Sequence, residues 1–142
     1  MVGWYRRPVA LPSAEWNRRL VREASAPREA GDSGPLFALT ADDVRWKVIV
    51  TTAASGVFES KRPLVEGAFA PLLQRLRGEL VTRLHDVSAD GDKVFLEFET
   101  HCSATNGVAY DQEYCWAMRM RGGRIVEIVV YLDTDLRARV LA

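Results

Sequence analysis

The last third of the chain, Lys93 to Asp133, is made of apolar-rich runs separated by two glycine turns, Asn106-Gly107 and Gly122-Gly123. Asn-Gly between such runs is the strongest short-range hairpin signal, because a tight turn needs positive φ at its central residues. The pattern predicts three antiparallel strands. A two-residue loop at Asn106-Gly107 sets Ser103 opposite Tyr110, His101 opposite Gln112, Glu99 opposite Tyr114 and Glu97 opposite Trp116.

Upstream, residues 1–12 have no clear period and read as an arm. Ser13 can cap a helix from Ala14 that carries Trp16, Leu20 and Val21, ended by Pro27. Pro35 opens a short helix through Leu39. Asp42-Asp43 leads into a strand, Val44 to Thr51, and Gly56 to Glu59 is a second. Ser60 to Leu76 has the best helical stripe: Leu64, Val65, Ala68, Phe69, Leu72, Leu73 and Leu76. Pro71 predicts a kink there, since it lacks the amide and crowds the carbonyl four residues back. Leu80 to Val87 is a further strand, followed by an Asp90-Gly91 turn rather than a calcium loop through Asp86, Asp90 and Asp92. Two strands, a long helix and a four-strand antiparallel meander make an α+β domain, helices on one side of a curved sheet.

Those loop lengths sort the sheet into two faces. Face one holds Leu80, Thr82 and Leu84; Glu97, Glu99 and His101; Gln112, Tyr114, Trp116 and Met118; Ile128, Val130 and Leu132. It is the more apolar face on every strand of the meander but 93–103, whose apolar residues fall on face two. If face one meets the helices, Glu97, Glu99 and His101 are ionisable groups among Trp, Tyr, Leu and Ile, where burial raises a carboxylate's pKa. Such a breach of the pattern marks a site. The alternative is that Glu97 and Glu99 face solvent on a sheet covered on face two.

The 142 residues fit one domain, and 48% apolar content supports a real core. Zero formal net charge argues against nucleic acid or an anionic membrane as partner. Arg6-Arg7, Arg18-Arg19 and the pair Arg137 and Arg139 read as solvated surface. The N-terminal residues lack an apolar signal core and no run spans a bilayer, so a cytoplasmic protein is expected. Cys102 and Cys115 are not cross-strand partners and fit free thiols in a reducing compartment. No cluster has metal-ligand spacing, and no glycine-rich phosphate loop implies a nucleotide; no cofactor is expected.

Tyr110 to Tyr114, Arg119 to Glu127 and Tyr131 to Thr134 resemble the closing strands of SnoaL-like proteins, in the nuclear transport factor 2-like superfamily with ketosteroid isomerase and limonene-epoxide hydrolase. Gly31-Asp32, Ala41 to Trp46 and Ser55 to Phe58 occupy the usual upstream places. The resemblance covers about residues 14–137 and implies one domain over residues 13–142. It implies a cone-shaped α+β barrel enclosing a hydrophobic pocket, face one inside it, and commonly a homodimer, here through the convex sheet face. The isomerase's catalytic Asp would fall near Lys47 or Val48 and its oxyanion-hole Asp at Trp116. The hydrolase's Arg and two Asp would fall at Glu97, Glu99 and Val130, with a carboxylate kept at Glu99. What remains is a variant acid/base site or none. Glu99 is the candidate base, with His101 and Tyr114 as donors to an enolate oxygen. Trp46, Phe69, Glu97, Gln112, Trp116, Met118, Val130 and Leu132 would bind substrate. The expected function is a cofactor-independent isomerase, cyclase or epoxide hydrolase on a small hydrophobic molecule. The alternative is a non-catalytic ligand-binding or scaffold protein of the same fold.

Overall fold

The computed structural model describes residues 13–49 and 56–142. The predicted arm, residues 1–12, and the end of the first predicted strand lie outside them. Helix α1 (Ser13–Ser25) runs into a 3-10 turn (Ala26–Ala30), then α2 (Gly34–Leu39), β1 (Thr40–Val48) and β2 (Gly56–Phe58). Next come α3 (Lys61–Leu64), a π turn (Val65–Phe69) and α4 (Ala70–Leu73). The meander β3 (Leu76–Asp90), β4 (Lys93–Ala104), β5 (Ala109–Arg121) and β6 (Arg124–Leu132) follows, and α5 (Thr134–Leu141) closes the described chain.

One six-stranded sheet has the order β2-β1-β6-β5-β4-β3. The meander is antiparallel throughout, while β1 joins β6 in parallel, so the sheet is mixed. The α+β class and the cone of sheet plus helices are as expected. The sheet itself does not close: β2 and β3 remain edges, and helices complete the wall.

The predicted long helix is broken where Pro71 removes a donor. The amide of Ala70 reaches back to the carbonyl of Val65, five residues away, a wider turn that accommodates the missing donor. Helix α5 was not predicted. Its first turn is capped by Asp133, whose Oδ1 accepts from the Leu136 amide at 3.1 Å. Asn106 then ties the β4–β5 loop to it, donating from Nδ2 to the Arg139 carbonyl at 2.8 Å.

That loop corrects the predicted register. It has three residues, Thr105 to Gly107: the Ala104 amide donates to the Val108 carbonyl at 2.8 Å, and Gly107 alone takes positive φ, 86°. Phe98 therefore faces Tyr114 and Leu96 faces Trp116. The turn before β4 is Gly91-Asp92, one residue later than predicted, and with the irregularity between Leu84 and Asp86 this leaves Leu84 opposite Phe98 and Thr82 opposite Thr100, one residue from the predicted pairing. A one-residue slip exchanges every side chain between faces. Val94, Leu96, Phe98 and Thr100 point to the core, and Glu97, Glu99 and His101 point outward. The mismatch on strand 93–103 was the mark of a misplaced register, not of buried carboxylates. Elsewhere the faces hold. A two-residue Gly122-Gly123 turn and an irregularity after Arg119 shift β6 by an even number, leaving Ile128, Val130 and Leu132 inside. A bulge between Leu84 and Asp86 re-phases β3, so that Val87 joins Thr82 in the interior.

Candidate ligand pocket

Five aromatic rings form a chain, four on the sheet's inner face and one on the π turn that faces it. Trp46 on β1 meets Phe69 of the π turn edge-on at 5.2 Å and Trp116 on β5 at 4.9 Å. Trp116 meets Phe98 on β4 edge-on at 5.0 Å, and Phe98 stacks on Tyr114 at 4.8 Å and 15°. Edge-to-face and offset stacking suit the ring quadrupoles, each pair adding about 0.5–1.5 kcal/mol beyond burial. With α2, the π turn and α4 opposite, these rings line a cavity of about 430 Å³. Val130, Leu132, Leu36 and Leu72 complete an apolar wall. A cavity of this size and character suits a small organic molecule.

Two arginines enter it, Arg28 and Arg137. Arg28 sits on the 3-10 turn after α1, which Gly31 closes at φ 84° by donating its amide to the Arg28 carbonyl at 3.0 Å. The Arg28 guanidinium lies 4.3 Å over the Phe98 ring and 4.8 Å over Trp116, within cation–π range. Its Nη1 is buried without a hydrogen-bond partner among the described residues. Burial pulls the guanidinium down to about 10 from its ordinary 12.5, and it stays charged at neutral pH. Thr100 Oγ1 and Trp116 Nε1 are likewise buried and unpartnered. Deeper in, the Tyr114 hydroxyl hydrogen-bonds the Tyr110 hydroxyl. Desolvation holds both phenols above their ordinary range, Tyr114 well above, so both stay protonated donors. Among the described residues no Asp, Glu or His lines the pocket.

A profile of the SnoaL-like domain matches residues 21–128. The chain belongs to the SnoaL-like family. Solved structures agree on the fold. An NTF2-like protein from Burkholderia thailandensis is 20% identical at a TM-score of 0.74, covering 89% of this chain and 97% of its own. Bal32a, from a soil-derived mobile gene cassette, is 20% identical at 0.71, covering 89% and 95%. TerC, co-crystallised with polyporic acid, is 16% identical at 0.71, covering 89% and 98%. No curated protein matches the chain in sequence.

In this SnoaL-like pocket the expected residues divide. Trp46, Phe69, Tyr114, Trp116, Val130 and Leu132 line it. Met118 is buried in the core beyond the pocket lining. Gln112 is fully buried and spent on Asp133, donating to its carbonyl at 2.9 Å and accepting from its amide at 2.8 Å. Glu97, Glu99 and His101 are on the outer face, a correction that follows from the register of β4. There Glu99 Oε2 lies 3.4 Å from His101 Nε2 and 3.7 Å from His85 Nε2, and His101 Nδ1 lies 2.8 Å from Asp111 Oδ1. His85 and His101 thus share a face, yet among the described residues no three His, Cys, Asp or Glu side chains are grouped to hold a metal ion. Both cysteines are free.

Arg28, Arg137, Phe98 and Thr100 were missed. Arg28 continues the buried stripe of α1, Asn17, Val21 and Ser25, at helical spacing, a signal hidden by reading Pro27 as the end of the element. Arg137, read as solvated, is 5% exposed because α5 turns Leu136, Arg137 and Val140 inward.

Proposed function

We propose that this SnoaL-like domain binds a small, flat, apolar molecule bearing an anionic oxygen, and that Arg28 holds that oxygen. The buried, unpartnered Nη1 of Arg28 carries this reading. A charge taken out of water is costly unless paired, and an aromatic pocket without an acidic side chain supplies no pair for it. A carboxylate, phenolate or enolate would supply one, with Trp116 Nε1 and Thr100 Oγ1 as further partners. TerC, a neighbour in fold, was crystallised with polyporic acid, an acid by its name.

The ligand-binding alternative is favoured over the acid/base enzyme, because the described residues of the pocket offer donors and cations but no carboxylate or imidazole base. Chemistry compatible with this lining is stabilisation of an enolate by Arg28, with Tyr114 as proton donor. A homodimer through the outer sheet face remains part of the proposal, supported by half-exposed Tyr131 and Val81 among charged residues. Two free thiols support a cytoplasmic location.

Titration of 2-naphthoate, read by tryptophan fluorescence, tests the anchor. Arg28→Met should weaken binding by at least about tenfold, the value of a charge-assisted hydrogen bond. Binding that is equally tight in the variant, or equally tight for uncharged naphthalene, refutes the assignment.

A further inference from the structure

The polar groups of the pocket lie at two poles. Arg28 stands over Phe98 and Trp116. Tyr114, the next inward residue along β5, aims its hydroxyl the other way, to meet that of Tyr110. At about 3.3–3.4 Å per strand residue, the Tyr110 and Tyr114 Cα atoms are roughly 13 Å apart, and the hydroxyls meet between them. The stacked rings of Phe98 and Tyr114 separate the two poles. Arg137 lines the pocket beside the tyrosines and its charge acts on both. Two hydroxyls hold two protons, and their mutual bond uses one, so one O–H remains to donate. Tyr114 is the member that lines the pocket, while Tyr110 is fully buried behind it.

We infer that this second pole selects the ligand: Tyr114 donates its O–H to a second oxygen, on the edge of the molecule opposite the one held by Arg28, and Tyr110 is the positioning residue behind it. The ligand class is then a flat aromatic molecule with oxygen functions on opposite edges. This rests on the anchoring role proposed for Arg28 and adds a requirement that the anchor alone does not make.

Two probes separate the claims: 2-naphthoate, with one oxygen-bearing edge, and 6-hydroxy-2-naphthoate, with two. The wild-type protein should bind the hydroxylated acid about five- to tenfold more tightly, the value of one neutral hydrogen bond. Tyr114→Phe keeps the ring and should bring that ratio to about one, whatever it does to the affinity for 2-naphthoate itself. Tyr110→Phe should lower the ratio without abolishing it, a result that loss of packing would not give, because packing affects both probes alike. Equal affinity for the two acids in the wild type, with binding still dependent on Arg28, overturns the second pole and spares the anchor. A ratio that survives Tyr114→Phe overturns it too. Failure of both acids to bind the wild type overturns the anchor and the second pole together.

Discussion

Arg28 loses hydration on folding and recovers only part of it from the faces of Phe98 and Trp116. A group held this way serves binding at the expense of stability, so Arg28→Met should leave the melting temperature unchanged or higher while weakening anionic ligands. A clear fall in melting temperature on calorimetry would give Arg28 a structural role instead. His101 has the opposite character. Its hydrogen bond to Asp111 raises its pKa above the ordinary 6.5, against an opposing desolvation and with further help from Glu99. The stability it contributes is therefore complete below pH 6.5 and lost as pH rises through the higher folded value. With His85 3.7 Å across Glu99, the outer face gathers these groups on the side of the sheet away from the pocket. An NMR titration should give a His101 midpoint above 6.5 that falls in Asp111→Asn; an unmoved midpoint would remove Asp111 as the cause. Residue types alone made Glu99 and His101 conspicuous and Arg28 ordinary, because ionisable side chains show in a sequence whereas the environment that gives them a function does not.

Element by element, the meander, the stripe of Leu64, Ala68 and Phe69, and the break at Pro71 were legible, since periodicity and a missing amide are local properties. The phase between strands was not. It depended on whether Asn106-Gly107 closed as two residues or as part of three, and in the three-residue loop Asn106 donates to the Arg139 carbonyl of α5. A contact across 33 residues has no local signature. The π turn was equally hidden, since Pro71 predicts a defect but not how the backbone absorbs it. The 3-10 turn that carries Arg28 depends on Gly31 at φ 84°, where a Cβ would also come within 3.2 Å of Glu79 Oε1. Gly31→Ala should cost about 1–2 kcal/mol by urea denaturation and should weaken anionic ligands by shifting the turn. A neutral result would mean that the turn tolerates a left-handed alanine, and that Arg28 is placed by its packing alone.

Across the whole molecule, the sheet separates two chemistries by the thickness of one backbone. Its inner face is aromatic and cationic; its outer face carries a chain of ion pairs, Asp92 to Arg119 to Glu127 to Arg45 to Glu59. Exposed pairs of this kind contribute little individually, about 0–1 kcal/mol, and suit a surface that meets water or a second copy. If the outer face joins two copies, Tyr131→Glu should shift sedimentation toward the monomer and leave naphthoate binding intact; a wild-type protein that sediments as a monomer would end that reading. Strand β4 belongs to both worlds, since Phe98 and Thr100 alternate along it with Glu97, Glu99 and His101. It therefore stores two linings in one stretch of chain, one neutral and one acidic, and a step of a single residue separates them. In a lineage carrying this strand, a change in the 105–107 loop, or in the helix that braces it, exchanges one lining for the other while every residue of the strand itself stays as it was inherited.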